Sequence, residues 1–152
     1  MLLRIVIFAS LFSCLAGCNT LPANSEIIQY YEVSTSKPYD DVLSEVQGAI
    51  AEHNFRITAH SRVGKVIRER GAVGFPEYDT IQFCNLTHAK TMLEISPHLV
   101  HYMPCNIVLY QFQGKTIVKT HLLPTDSENA ELNAFFATMN QMLKEIVDFA
   151  VE

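Results

Sequence analysis

"CNIVLYQFQGKTIVKTHL", residues 105–122, decides the architecture. Two runs rich in β-branched and aromatic residues flank Gln113-Gly114, which predicts a β-hairpin with a two-residue turn. That turn pairs Phe112 with Lys115 and Leu109 with Val118, and the pairing assigns faces. Cys105, Ile107, Leu109, Val118, Thr120 and Leu122 share one face, which reads as core. Asn106, Val108, Tyr110, Phe112, Ile117, Lys119 and His121 share the other. The second face is apolar for a surface meeting water, which points to a partner, a ligand or a subunit contact. Ordinary surface aromatics beside lysines are the plain alternative.

Beyond the hairpin, Thr125-Asp126-Ser127-Glu128 reads as a capping box opening a long final helix. The apolar stripe of that helix, Leu132, Phe135, Phe136, Met139, Leu143, Ile146, Val147 and Ala150, follows the helical period. Before the hairpin, "HLVHYM" (98–103) is strand-like, Leu86 to Ile95 is helical and stopped by Ser96-Pro97, and "DTIQFC" (79–84) is a strand. "GAVGFPEY" is a loop, a short helix spans Val63 to Arg70, and "FRITAH" (55–60) is a strand. Further upstream, Tyr39, Val42, Leu43, Val46 and Ile50 mark a helix with Ser36 as N-cap and Asp40 and Asp41 in its first turn. "EIIQYYEVS" (26–34) supplies the first strand. This order predicts an α+β fold: a mostly antiparallel sheet covered on one face by the two longer helices, in one domain over residues 26–152.

The N-terminus predicts destination. "MLLRIVIFASLFSCLAGC" has a charge at Arg4, an apolar run, then small residues before a cysteine, as in a secretory signal peptide spanning residues 1–17. Its ending Leu15-Ala16-Gly17-Cys18 resembles the bacterial lipoprotein lipobox. That resemblance implies lipidation of Cys18 and membrane attachment through the acyl chains. Asn19 in place of Asp favours the outer membrane, with the domain facing the periplasm of the cell envelope. Residues 18–25, the lipidated cysteine and "NTLPANS", read as a short tether. The 152-residue chain carries a formal charge of −5 and lacks a basic block, which argues against nucleic acid as a partner.

With Cys14 in the signal and Cys18 lipidated, Cys84 and Cys105 are the thiols left to the domain. In an oxidising envelope a disulfide is one reading; inert packed thiols and a reactive pair stay open beside it. A metal reading competes. On an extended strand His101, Met103 and Cys105 leave one face, and with Cys84 they offer soft ligands for copper or zinc. His88 and His98 flank the same region, but tight CxxC or HxxxH spacing is absent, and packed side chains are the commoner explanation. The expectation is therefore of no cofactor. Cys84 with His88 lacks an orienting carboxylate in the sequence, and phosphate-loop, GxSxG and HExxH patterns are missing, so the reading leans away from an enzyme.

"YYEVSTSKPYDDVLSEVQGAIAEHNF", "FCNLTHAK" and "LVHYMPCNIVLYQFQGKTIV", in that order, resemble the bacterial and archaeal domain of unknown function 302 family. The paired Cys-Asn and Pro-Cys-Asn segments carry the resemblance. Leu86 stands where the family usually has Pro, and "LVHYMPC" replaces a more aliphatic run. The resemblance implies a fold similar to the TATA-binding-protein architecture and a homodimer, and no settled chemistry. Function is thus expected to be that of a non-catalytic binding or structural lipoprotein with an unknown ligand or envelope protein as partner. A thiol-redox, sulfur-handling or metal-binding module centred on Cys84 and Cys105 is the alternative.

Overall fold

Residues 105–122 build two of the inner strands of a five-stranded antiparallel sheet. The structure is a computed structural model and describes residues 28–152. The signal peptide, Cys18, the tether and the first two residues of the expected domain lie outside the described residues. The elements are β1 (Gln29–Thr35), α1 (Tyr39–Glu52), β2 (Arg56–Arg62), α2 (Val63–Glu69), β3 (Tyr78–Cys84), α3 (Leu86–Ile95), a 3₁₀ helix (Pro97–Tyr102), β4 (Cys105–Phe112), β5 (Lys115–Leu122) and α4 (Ala130–Val151). Strand order is β1-β5-β4-β3-β2, every pair antiparallel.

The hairpin forms in the expected register, with Phe112 opposite Lys115 and Leu109 opposite Val118. Gln113 and Gly114 both take positive φ, 50° and 76°, the requirement of a type I′ turn, whose twist matches that of the strands it joins. On the inner face Ile107, Leu109, Val118 and Thr120 are buried, with Ile81 and Phe83 of β3 beside them. The stripes of α1 and α4 pack on this face: Val42, Val46 and Ile50 from one helix, Phe136, Leu143, Ile146 and Val147 from the other. Each large side chain removed from water in this way contributes about 1.5–3 kcal/mol. The α+β architecture with two longer helices on one face is the one the sequence predicts. Among the described residues no helix is long and apolar enough to cross a membrane.

Three local expectations are corrected. Residues 98–103 do not extend into a strand; Pro97–Tyr102 winds as a 3₁₀ helix. Pro97 suits the first turn of a helix, and Leu99 N–H donates to the Ser96 carbonyl and Met103 N–H to that of Val100, both at 3.1 Å. In that winding Leu99 and Tyr102, three apart, share a side, as do His98 and His101. Secondly, Ser36 does not cap α1: the cap position is Pro38, without a side-chain bond, and Thr35 Oγ1 accepts the Lys37 N–H at 3.2 Å instead. Thirdly, α4 starts beyond the expected capping box. Asn129 is its N-cap, accepting the Leu132 N–H at 3.1 Å, while Ser127 is held by the Asn133 side chain.

Candidate functional site

The two Cys-Asn segments end up side by side because β3 and β4 are neighbours, with Phe83 opposite Cys105. Their asparagines do different work. Asn85 caps α3, its Oδ1 accepting the N–H groups of Thr87 at 2.9 Å and His88 at 3.2 Å, and its Nδ2 donates to the Asn54 carbonyl. Asn106 lies on β4, facing the open side of the sheet, where it lines a cleft.

Cys84 and Cys105 line one small cavity of about 20 Å³ together with His88, Met92, Met103 and Met139. Both are free thiols, with no S–S bond between them. Burial pushes the Cys105 thiol up to about 11, and the neighbouring Cys84 adds to the rise. The His88 ring sits against Phe55 and Phe135, at centroid distances of 5.9 and 6.2 Å.

Of the ligand set expected from sequence, the fold thus gathers Cys84, Cys105, Met103 and His88. It leaves His98 and His101 exposed on the 3₁₀ helix, where His101 Nδ1 lies 2.6 Å from the His98 carbonyl oxygen. The shared strand face proposed for His101, Met103 and Cys105 does not exist, since residue 101 is helical and the strand begins at Cys105. Among the described residues no three His, Cys, Asp or Glu side chains come together to hold a metal. Sequence reasoning missed Met92 and Met139, which a helical stripe marks only as inward.

A much larger feature, a cleft of about 1290 Å³, opens where the uncovered sheet face meets the 3₁₀ helix and the β5–α4 loop. Val108, Leu122, Leu99 and Phe136 give it an apolar lining, and Asn106, His121, Lys119, Tyr30 and Asp126 add polar groups. Desolvation lowers the His121 pKa, so at neutral pH the ring serves as a neutral donor and acceptor. Lys119 Nζ is 3.0 Å from Glu32 and 4.3 Å from the Tyr30 ring centroid. The hydrogen bond to Glu32 raises the Lys119 pKa and keeps the ammonium charged. The same sheet face is apolar further along: Tyr78 and Tyr110 stack at 5.9 Å, and Phe112 is 57% exposed.

A third cluster escaped the sequence entirely. Asp79, 3% exposed on β3, has its Oδ2 at 2.9 Å from His60 Nε2 and 3.8 Å from Arg62 Nε, both on β2. Its Oδ1 has no hydrogen-bond partner among the described residues. Tyr39 lies close enough for Asp79 to help raise its pKa, after the larger effect of burial. The arrangement is an ion pair at the inner side of the sheet edge.

A family model, "Domain of unknown function DUF302", matches residues 31–150. The chain belongs to the DUF302 family. Among solved structures it is similar to the crystal structure of an uncharacterized conserved DUF302 protein from Bacillus stearothermophilus. The TM-score is 0.70 at 19% identity, over 81% of this chain and 98% of the other. At that identity the likeness shows the DUF302 fold and nothing of chemistry. No curated protein matches the chain.

Proposed function

We propose that this DUF302 chain is a membrane-anchored bacterial lipoprotein of the cell envelope whose domain is a non-catalytic binding module. One observation carries the binding reading: the 1290 Å³ cleft, with an apolar lining and a few convergent polar groups at Asn106, His121 and Lys119, has the composition of a small-molecule site. Its ligand is unknown, and an envelope protein is the other partner class the exposed sheet face suits. The aromatic part of that face, around Phe112 and Tyr78, supports a homodimer. The lipobox supports attachment through Cys18 to the outer membrane, facing the periplasm.

The test of binding is mass spectrometry of molecules that co-purify with the full chain from envelopes. A bound small molecule should accompany the wild type and be absent from Val108→Arg, which places a charge in the cleft lining. Recovery of the same molecules from both proteins, or of none, overturns the reading. Labelled palmitate should tag the wild type and leave Cys18→Ser untagged. Sedimentation should give a dimer that Phe112→Glu weakens.

A second reading, sulfur chemistry at Cys84 and Cys105, is favoured by the shared cavity of the two free thiols. Mass spectrometry after graded oxidation and reduction tests it. A Cys84–Cys105 disulfide that forms and reopens supports thiol chemistry, and thiols that stay inert through the series count against it.

A further inference from the structure

Three of the chain's five methionines, Met92, Met103 and Met139, converge from α3, the segment before β4 and α4 on the cavity that holds both thiols of the domain. The void of about 20 Å³ is the size of one water or one ion. A water there needs two to four polar partners, and thioethers and thiols are weak ones. A soft cation finds the opposite: five sulfur-bearing residues and one histidine line the cavity, all buried or half-buried.

We propose that this cavity is a binding site for monovalent copper, held by one cysteine thiolate and the methionine thioethers. Charge selects the ion. Among the described residues no carboxylate lines the cavity, so a single thiolate neutralises a single positive charge, whereas a divalent ion requires both thiols to ionise in a low-dielectric space. Ligand softness selects it as well, since thiolate and thioether favour copper(I), and among the described residues no three His, Cys, Asp or Glu side chains come together as zinc sites require. Binding exchanges the S–H proton of Cys84 or Cys105 for copper and releases that proton to solvent; no electron is transferred. Asn85 and His88, both half-buried, form part of the lining.

The inference deepens the sulfur reading and is independent of the cleft. Its test is anaerobic titration of the reduced full chain with copper(I) held by the chromogenic chelator bicinchoninate. The wild type should withdraw one copper per chain, and X-ray absorption should find sulfur neighbours. Cys84→Ser, Cys105→Ser should withdraw none. Met92→Leu, Met139→Leu, which keeps the packing volume, should weaken binding by about tenfold or more with an unchanged circular dichroism spectrum. Failure of the wild type to compete for copper overturns the proposal. So does wild-type affinity in the methionine variant, which would make those residues gap-fillers. So does nitrogen-dominated scattering, which would put the metal on His98 and His101. Disulfide cycling in protein that binds no copper would leave the sulfur reading standing while this site falls.

Discussion

Asn140 of α4 grips Leu123 from both sides: its Oδ1 accepts the Leu123 N–H at 2.7 Å, and its Nδ2 donates to the Leu123 carbonyl at 2.8 Å. Both residues are buried, and Leu123 is the first residue after β5, so the clamp fixes where the chain leaves the sheet and borders the cleft. Asn140→Leu removes the clamp and leaves a buried donor and acceptor unpaired, each costing about 1–3 kcal/mol. Urea unfolding should show a loss of roughly 2–4 kcal/mol. A loss below about half a kilocalorie would mean that water replaces the amide.

The same substitution should have opposite signs at two helical glycines. A Cβ on Gly48, exposed in α1, meets nothing within 4 Å, so Gly48→Ala should stabilise by about 0.5–1 kcal/mol through helix propensity. A Cβ on Gly64 in α2 would lie 2.6 Å from the Tyr78 backbone nitrogen and closer still to the Pro76 carbonyl oxygen. Backbone cannot swing aside like a side chain, so Gly64→Ala should cost about 1–3 kcal/mol. Thermal melts of the pair check it, and a rise in Tm for Gly64→Ala would refute the close approach of α2 to the β3 entry.

Periodicity made the hairpin and both long helices legible, because a period of two or 3.6 repeated over many residues overdetermines the face. Gln113-Gly114 added a glycine turn between the two runs, while its type I′ geometry, with Gln113 at positive φ, showed only in the structure. The stretch 98–103 was too short for that: six residues with Leu99 and Tyr102 apolar fit a period of three as well as one of two. The site was half legible. Cys84 and Cys105 stood out as a repeated motif, but their adjacency depends on β3 and β4 being neighbours. Met92 and Met139 read only as inward residues, and which cavity they reach is set by how α3 and α4 dock. Asp79 gave no signal, since its partners come from another strand and a carboxylate on an inner face runs against the pattern.

Two tyrosines predict alkaline instability. Burial, reinforced by Asp79, drives the Tyr39 pKa well upward, and the hydrogen bond from Tyr31 to Asp148 at 2.6 Å raises that of Tyr31. A raised folded-state value means that the fold favours the protonated phenol. The corresponding stability is complete below the ordinary tyrosine value of about 10 and is lost as pH rises beyond it. Phenolate absorbance and circular dichroism followed together should show both tyrosines ionising late, the last in step with unfolding, and Tyr39→Phe should delete that last step. Ionisation of every tyrosine near pH 10 with the fold intact would contradict the burial of Tyr39.

Cys105 should react slowly and with a steep pH dependence. The thiolate is the nucleophile, and burial places the Cys105 value at about 11 against 9.0 for an unperturbed thiol. At neutral pH the reactive fraction is therefore about 100-fold below that of an exposed cysteine, before any steric hindrance. Iodoacetamide labelling read by peptide mass spectrometry should rise about tenfold per pH unit up to that value. The sign for stability follows: the fold favours the neutral thiol, so the contribution is intact below the unperturbed value and fades as pH climbs towards 11. Where Cys105 is the thiolate that holds copper, bound metal should abolish its labelling, because the metal takes the place of the proton. Rapid, pH-independent labelling of Cys105 would show that the cavity opens to solvent, and would remove the desolvation on which both its inertness and its choice of a monovalent ion depend.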